Sequence, residues 1–160
     1  MRQERGFSLI ELLIVIAIIL ALAAMAIPNL IRSKMSANEA SAISSLRIIA
    51  NAQTTYAVAY PWLGYANQLA KLSYPPEGQQ ADSIHAGIID QVLGCASQPC
   101  TKAGYQFSIT STTGTPISAY TAVATPVIRG ESGRRGFCSD QVARISVDPN
   151  GGASCTEPLE

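Results

Sequence analysis

Residues 2–27 read RQERGFSLIELLIVIAIILALAAMAI, and this stretch decides the fold. A basic leader carrying Arg2 and Arg5 ends at Gly6, and from Phe7 to Ile27 the chain is apolar except for one carboxylate, Glu11. These 21 residues reach roughly 31 Å as a helix, the thickness of a bilayer's hydrocarbon core. An ionised carboxylate inside such a segment costs about 2.5–3.5 kcal/mol at the helix centre, so Glu11 is read as a functional residue. Arg2 and Arg5 place the leader in the cytoplasm and everything after Pro28 outside. Two plainer readings compete. One is a single-pass anchor, and the other is a removable secretory signal, because Ala24-Met25-Ala26 has the small-x-small form of a signal-peptidase site.

The residues after Pro28 argue against a removable signal. Between Asn29 and Tyr60 there is neither Gly nor Pro, and Met35, Ile43, Leu46, Ile49, Ala50, Tyr56, Ala57 and Tyr60 recur at helical spacing as one apolar stripe. The helix is therefore expected to continue beyond the membrane to about 50 residues. Pro28 lacks a backbone N–H and crowds the carbonyl of Ala24, so a kink is expected there rather than an end.

The motif Gly6-Phe7-Ser8-Leu9-Ile10-Glu11-Leu12-Leu13-Ile14-Val15, together with Pro28 and a long amphipathic helix, resembles the start of a type IV prepilin or of the related pseudopilins of type II secretion. The resemblance implies cleavage after Gly6 by a prepilin peptidase and N-methylation of Phe7. It also implies an inner-membrane assembly platform with its ATPase, and a homopolymer in which Glu11 pairs with the amino terminus of a neighbouring subunit. The chemistry agrees, since the amine of Phe7 and the carboxylate of Glu11 both sit where unpaired charge is costly, and pairing between subunits would fix a stagger. Pro28 belongs to the same assembly segment. A pair within one chain is the competing reading of Glu11. The Trp-Gly calcium pattern of major pseudopilins is absent, because Leu63 comes directly after Trp62; this favours a pilin over a pseudopilin.

The chain of 160 residues has a formal net charge of +0 and 14% charged residues, which excludes a polybasic nucleic-acid binder and a charge-rich disordered chain. All four cysteines, Cys95, Cys100, Cys138 and Cys155, lie beyond the apolar segment, as expected for disulfides formed outside the cytoplasm. Three pairings exist, and chain proximity favours Cys95 with Cys100 and Cys138 with Cys155.

The chain thus divides into five segments: a leader over 1–6, a membrane half-helix over 7–28, an amphipathic half over 29–60, a connection over 61–103, and a sheet with a C-terminal disulfide loop over 104–160. A short helix is expected over Ser83–Leu93 inside the connection. Past Gly104 the period falls to two, with Tyr105, Phe107 and Ile109 on one face, and strands are expected over Tyr120–Val127, Gly136–Ser139 and Val142–Val147. Three or four antiparallel strands, one face covered by the helix stripe, make an α+β head of pilin-like layout.

Sharper chemical readings fail. Gly130 to Gly136 lacks the Gly-Lys-Ser/Thr ending of a phosphate loop and is read as a hairpin connection. His85 has no partner set for catalysis or metal, and a surface position is expected. Asp148-Pro149-Asn150-Gly151 is first a turn rather than a calcium loop. Arg129, Arg134, Arg135 and Arg144 are read as a solvated face, with DNA capture unsupported. Tyr56, Tyr60, Trp62, Tyr65 and Tyr74 are expected to pack between helix and head. No enzyme activity, cofactor or metal is expected. Before assembly the partner is membrane lipid; afterwards the chain belongs to an extracellular pilus or a periplasmic pseudopilus.

Overall fold

A computed structural model describes residues 8–159. One helix, α1 (Leu9–Ala59), is succeeded by a 3-10 turn over Leu69–Leu72 and six strands: β1 (Cys100–Lys102), β2 (Tyr105–Thr113), β3 (Ala119–Pro126), β4 (Gly136–Asp140), β5 (Ile145–Asp148) and β6 (Glu157–Pro158). The strands form one antiparallel sheet in the order β1-β2-β3-β4-β5-β6, each hydrogen-bonded to its sequence neighbour.

The chain divides into two compact units, one ending at Lys34 and one beginning at Met35. In the first, the helix continues through Pro28, and its large apolar side chains, from Leu9 to Ile31, are exposed. In the second, the stretch of α1 from Met35 onward buries Ala42, Leu46, Ile49, Ala52 and Tyr56. They meet Tyr105, Phe107, Ile109, Tyr120, Ala122, Ala124, Phe137, Ile145 and Val147 from the sheet. The alternation of β2 and β3 predicts this: every second residue faces the helix and adds its apolar area to one core.

Polar residues also enter the covered stripe of α1. Glu39, Ser45 and Gln53 are buried, whereas the expected Ile43, Ala57 and Tyr60 are only half covered. Gln53 is fully buried and works as a ladder rung: its Nε2 donates to the Ala66 carbonyl at 2.9 Å, and its Oε1 accepts the Ala66 N–H at 2.7 Å. Gln98 does the same at the bulge in β2, with Nε2 donating to the Ile109 carbonyl at 3.0 Å and Oε1 accepting the Ile109 N–H at 3.2 Å.

Several expectations are corrected. No helix forms over Ser83–Leu93. Asp82 instead accepts the N–H groups of Ile84 and His85, and Asp90 those of Val92 and Leu93, making isolated turns. The N–H groups of Ala86, Gly87, Ile88 and Ile89 turn to the carbonyls of Lys71, Leu72 and Ser73. The sheet has six strands rather than three or four. Residues 100–102, placed in the connection by sequence, supply one edge. The strand expected over Val142–Val147 begins only at Ile145, because Asp140 folds 140–144 into a turn by accepting the N–H groups of Val142 and Arg144.

Candidate assembly site on the N-terminal helix

The first turn of α1 is built by the four residues Ser8-Leu9-Ile10-Glu11, a capping-box sequence. The Glu11 carboxylate accepts the Ser8 backbone N–H at 3.0 Å, and the Leu12 N–H donates to the Ser8 carbonyl at 3.3 Å. Glu11 therefore satisfies one of the N–H groups that a helix start leaves orphaned. Its acidic position in the first turn also suits the positive end of the helix dipole. This capping role is absent from the sequence expectations for Glu11, although Ser-x-x-Glu signals it. Gly6 and Phe7, the expected cleavage and methylation positions, lie outside the described residues.

An 18-residue window of α1 has a mean hydropathy of 3.0, and none of it is buried in the chain itself. A surface of that length and composition is stable only in lipid or against other apolar helices. Within it, the carboxylate of Glu11 is the one acidic group among the described residues. The helix passes Pro28, and Asn29 Nδ2 donates to the Met25 carbonyl at 3.3 Å, one turn before it.

In the head the chemistry is structural. Cys95 is bonded to Cys100 and Cys138 to Cys155, the pairing that chain proximity favours. Glu39, only 8% exposed, accepts four hydrogen bonds from the β3–β4 connection. The donors are the backbone N–H groups of Arg134 (2.9 Å) and Arg135 (3.2 Å) and the Arg135 guanidinium through Nε (2.9 Å) and Nη2 (2.8 Å). Burial raises the Glu39 carboxyl's pKa, but these donors outweigh it and hold the group below its ordinary range. Next to it, Asn38 Nδ2 donates to the Ser132 carbonyl at 2.8 Å, and the Tyr105 hydroxyl to the Arg135 carbonyl at 2.8 Å. Gly133 is required there, because a Cβ would fall on the Tyr105 hydroxyl.

The four arginines are exposed, and three of them are held by partners of their own. Arg135 is held by Glu39 and lies over the Phe137 ring at 5.5 Å, Arg144 pairs with Asp140 at 3.6 Å, and Arg129 Nη2 reaches the Pro149 carbonyl at 3.4 Å. Residues 130–135 lie in the β3–β4 connection, and Gly136 begins β4. The Asp148 carboxylate is taken by the N–H groups of Asn150 and Ser154, as a turn requires. His85 is half buried, partly open to the surface. Of the aromatic group, Tyr56 is buried and Tyr65 lies 5.0 Å from the Tyr120 ring, but Trp62 and Tyr74 are exposed.

Comparison with known proteins bears on the same segment. Residues 1–27 match the prokaryotic N-terminal methylation motif. The chain is 62% identical over 39 residues, 24% of its length and 30% of the relative's, to the type IV wide pilus major component PilA4 of Thermus thermophilus. It is 44% identical over 54 residues, 34% of its own length and 24% of the relative's, to the type IV major pilin protein PilA of Myxococcus xanthus. It is also 39% identical over 54 residues, 34% and 37% of the two lengths, to the type II secretion system core protein G of Escherichia coli. Each match thus spans little more than a third of the relative at most. No solved structure is a significant match. The class these observations define is an α+β protein with one long apolar N-terminal helix, an antiparallel sheet and two disulfides. Its N-terminal segment carries the methylation motif and is similar to those of type IV pilins and a type II secretion pseudopilin.

Proposed function

We propose that this chain is a structural, non-enzymatic subunit of a type IV pilus-like filament. It enters the inner membrane as a precursor with residues 1–6 in the cytoplasm and the head outside. A prepilin peptidase cuts after Gly6 and the new amine of Phe7 is methylated. The subunit is then lifted into a filament by an assembly platform with its ATPase. One observation carries this reading: a membrane-length helix that its own chain leaves uncovered, bearing a lone carboxylate at Glu11, in a segment matched to the methylation motif. The Phe7 amine of an incoming subunit supplies the counter-ion that an apolar filament core demands of Glu11. Pro28 lies in the same segment and shapes it for that packing.

N-terminal sequencing and the intact mass of mature protein test the proposal. The expected product begins at N-methylated Phe7. A chain that begins at Met1, or at Ile27, overturns it.

A second reading, a type II secretion pseudopilin, has the similarity to core protein G in its favour. Deletion of the gene separates the two: loss of surface filaments with secretion intact supports a pilin, and loss of protein secretion supports a pseudopilin.

A further inference from the structure

The antiparallel order sends the β1–β2, β3–β4 and β5–β6 connections to one end of the sheet and the β2–β3 and β4–β5 connections to the other. Asn38 and Glu39 bind the β3–β4 connection through Ser132, Arg134 and Arg135, so the first end is the one at which α1 enters the head. Asn38 lies seven residues beyond Ile31, the last large apolar residue of the bare segment. Seven residues of chain span at most about 25 Å however they are arranged. The covalent tether alone thus keeps this connection near any bilayer that holds the bare segment.

The surface offered there is unlike the rest of the head. Val127 and Ile128 are 45% and 52% exposed, the one consecutive pair of exposed large apolar residues among the described residues of the head. Isolated exposed apolar residues are ordinary, but these two are held out by a loop that bonds to itself. The Ile128 N–H donates to Ser132 Oγ at 3.0 Å, and the Ile128 carbonyl accepts the N–H groups of Ser132 at 3.0 Å and Glu131 at 3.2 Å. The Gly130 N–H donates to the Gly133 carbonyl at 2.8 Å. Arginines flank the pair. Arg129 reaches only the Pro149 carbonyl, and the Arg134 guanidinium has no acceptor among the described residues. Arg135 is neutralised by Glu39, and Glu131 is the one acid in the connection, so the loop keeps a net positive charge. Arg32 and Lys34 add two more cations between the bare segment and the head.

An apolar pair flanked by cations matches the bilayer interface, where acyl chains lie beneath anionic phosphates and the two attractions add. We propose that the β3–β4 connection is a second membrane contact of the subunit before assembly. Val127 and Ile128 enter the interfacial layer of the outer leaflet, and Arg129 and Arg134 meet the phosphates of anionic phospholipids. This rests on the membrane-anchored reading of α1 given above. Two contacts restrict how the head can turn over the bilayer, a freedom that one anchoring helix leaves open.

The test uses the full-length chain in vesicles of phosphatidylcholine and phosphatidylglycerol. A trace of phosphatidylcholine carries a diazirine at the top of one acyl chain; the vesicles are irradiated and the protein is digested with trypsin. Residues 6–32 report the helix, and residues 103–129 carry the apolar pair at their end. Lipid adducts are expected on both peptides, located in the second by fragmentation at Val127 or Ile128. Val127→Ser with Ile128→Ser should abolish the second adduct and leave the first, both disulfides and the unfolding midpoint in place. Arg134→Gln should lower the docked-to-free ratio about fivefold in these vesicles and leave it unchanged in phosphatidylcholine alone. An adduct on 6–32 with none on 103–129 overturns the proposal and spares the anchored reading, whereas no adduct on either peptide overturns both. Adducts spread evenly along 103–129 also overturn it. Protection of 127–135 from hydrogen exchange that grows with the protein-to-lipid ratio, with no adduct at the pair, overturns it and assigns the cover to a second copy of the chain.

Discussion

Glu11 and Glu39 are the same side chain on the same helix, and their surroundings are opposite. Glu39 has four donors, all from its own head, and is fully provided for within the chain. Among the described residues Glu11 accepts one N–H, that of Ser8, on a helix whose apolar face is bare. One carboxylate is provided for by the head, and the other caps the start of a bare helix and, in the function proposed above, waits for a partner from another subunit. The contrast extends to the two units: the head closes its own core, ladders and disulfides, while the segment before Lys34 leaves its hydrophobic surface for another phase or another molecule.

The largest effect that tests this contrast is on assembly. Glu11→Ala should leave precursor level, cleavage and head stability unchanged and reduce filaments to few or none, since an unpaired charge in an apolar core typically costs about 3–5 kcal/mol. Glu11→Asp should fall between, and Glu11→Gln, which can still accept the Ser8 N–H, should resemble Ala if charge rather than capping is what assembly needs. Filament counts by electron microscopy at wild-type level for Glu11→Ala would remove the distinction.

Next in size is the covalent staple of the head. Cys138→Ser with Cys155→Ser opens a loop of sequence separation 17 and should cost about 3 kcal/mol, measured by denaturant unfolding of the detergent-solubilised chain. Unreduced wild-type protein should resist alkylation at all four cysteines.

Glu39→Gln should cost the head about 1–3 kcal/mol, because it replaces a charge-assisted acceptor for four donors with a neutral one; the half-exposed Arg135 side chain can rehydrate, which favours the lower end. The folded head holds the Glu39 carboxyl below its ordinary value of 4.5. Its stabilisation is therefore complete above about that pH and drains away as acid carries the pH through the lower folded-state value. Asp90 is also held low: burial raises its pKa, but the Leu93 N–H and Lys102 outweigh it. Unfolding midpoints measured from roughly pH 3 to 7, which brackets ordinary carboxylate titration, should show a shallower acid decline in Glu39→Gln. An unchanged decline would mean that Glu39 is not the group responsible.

The smallest effect should come from Val58→Ser. Val58 is 77% exposed on the uncovered side of α1, so head stability should move by no more than about 0.5 kcal/mol. A larger loss would show that this side of the helix matters to the head itself.

The long helix and β2 were legible because their periods run long enough to count: spacings of three or four from Ile43 to Tyr60, and strict alternation at Tyr105, Phe107 and Ile109; β3 to β5 were marked instead by β-rich composition between glycines. β1 and β6, three and two residues long, carry no period. The Ser83–Leu93 segment misled because the N–H groups of Ala86 to Ile89 pair with the carbonyls at the end of the Leu69–Leu72 3-10 turn and at Ser73 instead of closing a local helix. Glu39 and Gln53 were invisible in the stripe for a related reason. A buried polar residue is explained by its partner, and the partners of Glu39 lie 95 and 96 residues away. At Glu11 the sequence showed the charge and its cost, but the capping bond required the backbone.

The simple strand order has a consequence for how the head is made. Each strand finds its mate a short turn after it is translated, so the sheet can zip progressively from β1 toward β6, with low loop-closure entropy at every step. The docking of α1 is different. Its stripe from Ala42 to Tyr56 shares a core with Ala66, Leu69 and Leu72, which follow it directly in the chain, whereas Glu39 finds its donors only when Arg134 and Arg135 arrive. Glu39 therefore lacks all four of its donors until the β3–β4 connection closes on the helix, and a head that stops short of that step keeps an unsatisfied carboxylate in its covered stripe.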